Sequence, residues 1–139
     1  MLWLDLAIAD RRDAERAFFV TDDDSADDIV RVRIEEFSEF ELAHLALLLT
    51  PGFDPQLVVD GDRPSEVVTG CDRRFVSALA ALAAADLPTL AVRWHEASGF
   101  ERSDSVLSEL HALACEAEAL GRPLLYAQGD DRDRDRGWD

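Results

Sequence analysis

Apolar and polar positions alternate in blocks that divide the chain into short elements. Leu2, Leu4, Leu6 and Ile8 alternate with Trp3, Asp5, Ala7 and Ala9, a period of two that predicts a strand over 2–8. Val30, Val32 and Ile34 alternate with Arg31, Arg33 and Glu35, which predicts a strand over 29–36 with its charges in water. Residues 10–15 read as a charged turn or short helix, and 17–20 as a short second strand. Two more short strands, 57–60 and 65–69, flank a turn at Gly61 and Asp62.

Helical spacing begins at Ser38. Ser38 with Glu41 forms a capping box, and Phe37 with Leu42 matches a hydrophobic staple. Leu42, Ala43, Leu45, Ala46, Leu47, Leu48 and Leu49 leave little polar face, so this helix is expected to be deeply buried. Pro51 and Gly52 end it. Asp72 suits the N-cap of a second helix, in which Phe75, Leu79 and Leu82 share a face. Pro88 predicts its end near Asp86.

Residues 89–96 then read as a strand, with Leu90, Val92 and Trp94 on one side and Ala91, Arg93 and His95 on the other. A third helix opens at Asp104 or a neighbouring serine and buries Val106, Leu107, Leu110, Leu113, Ala114, Ala117 and Leu120. Gly121 suits its left-handed end, and 124–128 form the last strand. Strand, helix and strand in this order predict a right-handed parallel crossover. The expected fold is α/β: a single domain over 1–128, a mixed sheet and three main helices. Residues 129–139 alternate Asp and Arg and are expected to form a disordered charged tail.

Composition narrows the picture. A chain of 139 residues with 47% hydrophobic content has the material for one core. The two cysteines, Cys71 and Cys115, define no disulfide framework. No secretory signal and no apolar run of membrane-spanning length is read, so a cytoplasmic location is expected. The formal net charge is −16, and all 14 cationic residues are arginine. Such a field repels nucleic acid and anionic lipid and attracts basic partners. A GC-rich genome or adaptation to salt would produce the same balance.

The candidate chemistry is sparse. Asp22, Asp23, Asp24, Asp27 and Asp28 read as a solvated acidic loop and the first candidate for a partner-binding surface. They lack the spacing of a calcium loop, and no metal or cofactor is expected. Glu41 and His44 stand one helical turn apart, without the second copy that a di-metal bundle needs. Trp94, His95 and Glu96 lie at the carboxyl end of the expected 89–96 strand, where open α/β sheets gather ligands, and form the candidate pocket. His111 reads as a surface partner of Glu118, and Cys115 as a thiol turned away from its helix's apolar stripe. Phosphate-loop, dinucleotide and nucleophile-elbow motifs are missing, so no catalytic residue is named.

The pieces FVSALAAL, LPTLAVRW and SVLSELHALACEAEALGRPLLYAQ, from Phe75 onward, resemble barstar-type ribonuclease inhibitors. The resemblance implies a helix, a strand ending near a tryptophan, a long helix closing on glycine and a last strand. It also implies an acidic protein that occupies the active site of a basic nuclease. The family's partner-facing helix opens after an aromatic-glycine stretch, where this chain has Gly70, Cys71, Asp72, Arg73 and Arg74, so no binding residue is carried over. The functional expectation is a small acidic inhibitor or immunity-type protein that masks a basic toxin or nuclease. The alternatives are a ligand-binding or enzymatic domain with the Trp94 pocket, and a salt-adapted regulatory module.

Overall fold

The computed structural model describes residues 2–18, 29–60 and 67–130. Along the chain these form β1 (Leu2–Ile8), α1 (Ala14–Phe18), β2 (Val30–Glu35), α2 (Glu39–Leu49), β3 (Gln56–Val59), β4 (Val68–Gly70), α3 (Arg73–Ala80), α4 (Leu87–Ser98), α5 (Ser103–Leu120) and β5 (Leu124–Asp130). The protein is α/β, as its pattern predicts, and the three expected helices are α2, α3 and α5. The elements fall into two compact units, one holding the strands and α1, the other holding α2 to α5.

The strands form one sheet in the order β2-β1-β5-β4-β3, and every pairing is antiparallel. The expected parallel crossover is absent because its first strand, 89–96, is helical; β5 pairs antiparallel with β1 and with β4, where Thr69 lies opposite Tyr126 and Gly70 opposite Leu125. β1 lies between β2 and β5, and both its alternating sets are buried, Leu4 and Leu6 as much as Trp3, Asp5 and Ala7. One face packs Ala7, Ala9, Val68, Leu125 and Ala127 against Ala14, Ala17 and Phe18 of α1. The expected strand over 17–20 is thus replaced, as far as Phe18, by the end of a short helix. β5 runs on through Gly129 and Asp130, which removes both from the expected tail. The rest of that tail lies outside the described residues.

Asp5, on β1, is fully buried. Its register partner on β2 is Arg33, whose Nε and Nη2 donate to the two carboxylate oxygens at 2.6 and 3.0 Å. The guanidinium also lies 4.5 Å from the centroid of the Trp3 ring. A two-pronged pair of this kind satisfies a carboxylate that would otherwise be costly to bury. Arg33 therefore turns inward, where alternation placed it in water.

In the helical unit, α3 and α4 pack against α5, and α2 packs against α3 and α4. The largest departure from the sequence pattern is here: residues 89–96 belong to a helix, α4, not to a strand. Pro88 sits in its first turn, where a missing N–H costs nothing, so it starts this helix rather than ending the one before. Leu90, Ala91 and Trp94 face inward at helical spacing, while Val92, Arg93 and Glu96 are exposed. α3 stops at Ala80, and a 3₁₀ turn at Ala84–Asp86 leads into α4. Gly121 adopts the expected left-handed conformation after α5, with φ of 66°.

Asp72 caps α3 as its position predicts. It accepts from the Arg74 N–H at 2.9 Å, and its other oxygen accepts from the Asp54 N–H at 3.0 Å. The Arg74 guanidinium bonds the same carboxylate and also donates to the Gly52 carbonyl at 2.8 Å, tying the turn after α2 to the start of α3. The Arg74 side chain, aided by the two backbone N–H groups, holds the Asp72 carboxyl far below the usual carboxylate range. Among the described residues, no single helix is long and apolar enough to cross a membrane.

Candidate functional site

The residues singled out by sequence do not converge. Trp94 is fully buried, its ring 5.1 Å from that of Phe100 and its indole N–H donating to the Glu41 carbonyl at 2.8 Å. His95 and Glu96 are exposed on the other side of α4. His95 Nδ1 is 2.9 Å from the Phe100 carbonyl, so it donates there and steadies the turn around Gly99. The strand end that made these three a pocket does not exist, because the stretch is helical and successive residues diverge around its axis. Asp22, Asp23, Asp24, Asp27 and Asp28 lie outside the described residues.

The structure instead exposes apolar side chains on α2. Leu42, Leu45 and Ala46 are its buried stripe. At about 100° per residue, Phe40, His44 and Leu47 lie together on the opposite side. Phe40 is 64% exposed and Leu47 58%, so the helix expected to be deeply buried is buried along one side only. The His44 ring meets Phe40 edge to face at 4.4 Å, and its Nδ1 lies 2.9 Å from the Phe40 carbonyl. That contact fixes both rings in the exposed stripe. Glu39 and Glu41 flank it on either side of the first turn, and α2 contains no lysine or arginine. The signal was present in the sequence: a helix apolar all round must be covered on all sides or offer one to something else.

α5 contributes charge. Its 18 residues carry Asp104, Glu109, Glu116 and Glu118, all exposed, and no lysine or arginine. Glu116 and Glu118 stand near the C-terminal end, where the helix dipole is already negative. Glu118 accepts a hydrogen bond from the Ser77 hydroxyl rather than pairing with His111. His111 and Cys115, four residues apart, come together instead: Nε2 lies 3.0 Å from the Leu82 carbonyl, and Sγ 3.6 Å from the Ala80 carbonyl and 3.7 Å from Nε2. With the imidazole N–H turned to one carbonyl and the thiol to the other, the pair anchors the end of α3. It is not arranged as nucleophile and base, since the nitrogen facing sulfur carries the proton.

Comparison of the chain with protein-family models, with curated proteins and with solved structures gave no match.

Proposed function

We propose that this chain is an acidic binding protein, of the inhibitor or immunity type, that engages a basic protein partner in the cytoplasm. The observation that supports this most is the charge on α5. Carboxylates line its exposed side without a cation on the same helix and continue into the end where they are electrostatically disfavoured. A local rule broken in this way is characteristic of functional surfaces, because a cationic partner relieves the repulsion. The net charge of −16 extends the same field over longer range and would steer a basic partner to the surface. Cys71 and Cys115 are not joined in a disulfide, which suits a reducing compartment. A toxin or nuclease with a basic active site is the partner class that such a field masks.

Fluorescence anisotropy of a labelled arginine-rich peptide tests the proposal. The wild-type protein is expected to bind it, with affinity falling as salt rises. The double charge reversal Glu109→Lys with Glu116→Lys is expected to weaken binding about tenfold at low salt. Affinity indifferent both to salt and to the reversal would refute the reading.

A further inference from the structure

The exposed stripe of α2 has no counterpart in the charge argument, because electrostatic attraction alone does not require apolar side chains in water. We infer that Phe40, His44 and Leu47 form the seat for an amphipathic basic helix of the partner, an inference that rests on the function proposed above and locates its contact. Phe40 and Leu47, one on each side of His44 along the stripe, are spaced to receive apolar residues from a helix laid along α2. Interfaces combine an apolar centre with a polar rim. Here the centre is Phe40, His44 and Leu47, and the rim begins with Glu39 and Glu41 on the two flanks.

Charge selects among occupants. A second copy of this chain would set Glu39 and Glu41 against the same carboxylates and bring one net charge of −16 against another. A helix with arginine or lysine beside its apolar stripe meets both flanks favourably. Burial of Phe40 and Leu47, each more than half exposed, would supply the part of the affinity that salt does not screen.

The experiment uses two peptides of identical composition. One places leucines at i, i+3, i+4 and i+7 among arginines, and the other scrambles them so that no stripe forms. The wild-type protein is expected to bind the first at least tenfold more tightly, and Phe40→Ser and Leu47→Ser each to remove about tenfold of that preference. Both variants should bind the scrambled peptide as the wild type does, and should keep its circular-dichroism melting curve because they alter exposed positions. Equal affinity of the wild type for the two peptides, or a preference that survives both substitutions, would overturn the inference while leaving the charge reading standing. If neither peptide binds, the charge reading fails first. A wild-type dimer in sedimentation that Phe40→Ser converts to monomer would assign the stripe to a second copy and overturn the basic-helix occupant.

Discussion

Val92 and Trp94 distinguish a helix over residues 87–98 from a strand. Two positions apart, they would share one face of a strand, and both would then be buried or both exposed. On α4 they diverge by roughly 200°, and accordingly Trp94 is fully buried while Val92 is 56% exposed. Trp94→Ala removes a large ring packed against Phe100 together with the N–H donated to the Glu41 carbonyl. Loss of an aromatic side chain from a core costs about 3–5 kcal/mol, of which the hydrogen bond accounts for about 1 kcal/mol. For a protein of this size that corresponds to a fall in melting temperature of roughly 15 °C. Val92→Asp, by contrast, adds charge to a surface position and is expected to change stability by no more than about 0.5 kcal/mol. Thermal melts followed by far-ultraviolet circular dichroism read both variants without relying on tryptophan emission. Comparable destabilisation by the two substitutions would refute the helical assignment and restore the strand.

Two further substitutions test the remaining polar anchors. Asp5→Ala leaves Arg33 without its carboxylate inside the sheet and is expected to cost about 3 kcal/mol in urea unfolding, with the double variant Asp5→Leu, Arg33→Met recovering much of the loss. Asp72→Asn keeps a side chain able to cap α3 but removes the charge that Arg74 pairs with, and is expected to cost about 0.5 kcal/mol at neutral pH. The Asp72 pKa is depressed in the folded state, so its contribution is complete above the unfolded value of about 4 and shrinks as pH falls below it. The stability gap between wild type and Asp72→Asn should therefore be constant from pH 7 to about pH 5 and narrower at pH 3; a gap that widens in acid would contradict the clamp.

The parts of the fold that were legible are those whose cause is local. Asp72 caps α3 and Gly121 ends α5 because the residues that fix those turns are adjacent in sequence. The buried stripe of α5, from Val106 to Ala117, follows because only one period fits it. Leu90, Ala91, Val92 and Trp94 satisfy both the strand and the helix period, and Pro88 can either stop or start a helix, so pattern alone chose wrongly. Burial of both faces of β1 depends on what packs on each face of the sheet, α1 on one of them, a non-local fact that alternation does not encode. The inward turn of Arg33 has the same origin, since it requires Asp5 directly opposite on the neighbouring strand.

The candidate site was legible in a weaker sense. The acidity of α5 can be read from its composition, but not that Glu116 and Glu118 are exposed at its end. The apolar character of α2 was also plain. What the pattern lacked was a neighbour count: α3 and α4 cover the Leu42, Leu45 and Ala46 side, and Phe40 and Leu47 stay in water. The pairing of His111 with Cys115 follows from i, i+4 spacing on one helix, and the carbonyls of Ala80 and Leu82 that receive them come from the chain's path after α3.

Titration of the ¹⁵N-labelled protein with the striped arginine-leucine peptide, followed by amide chemical-shift mapping at two salt concentrations, tests the central claim most directly. The account predicts shifts concentrated on α2 around Phe40, His44 and Leu47 and on the exposed side of α5, with the α5 shifts lost first as salt rises. Shifts spread evenly over the acidic residues of the chain, or no shifts at either salt concentration, would contradict it.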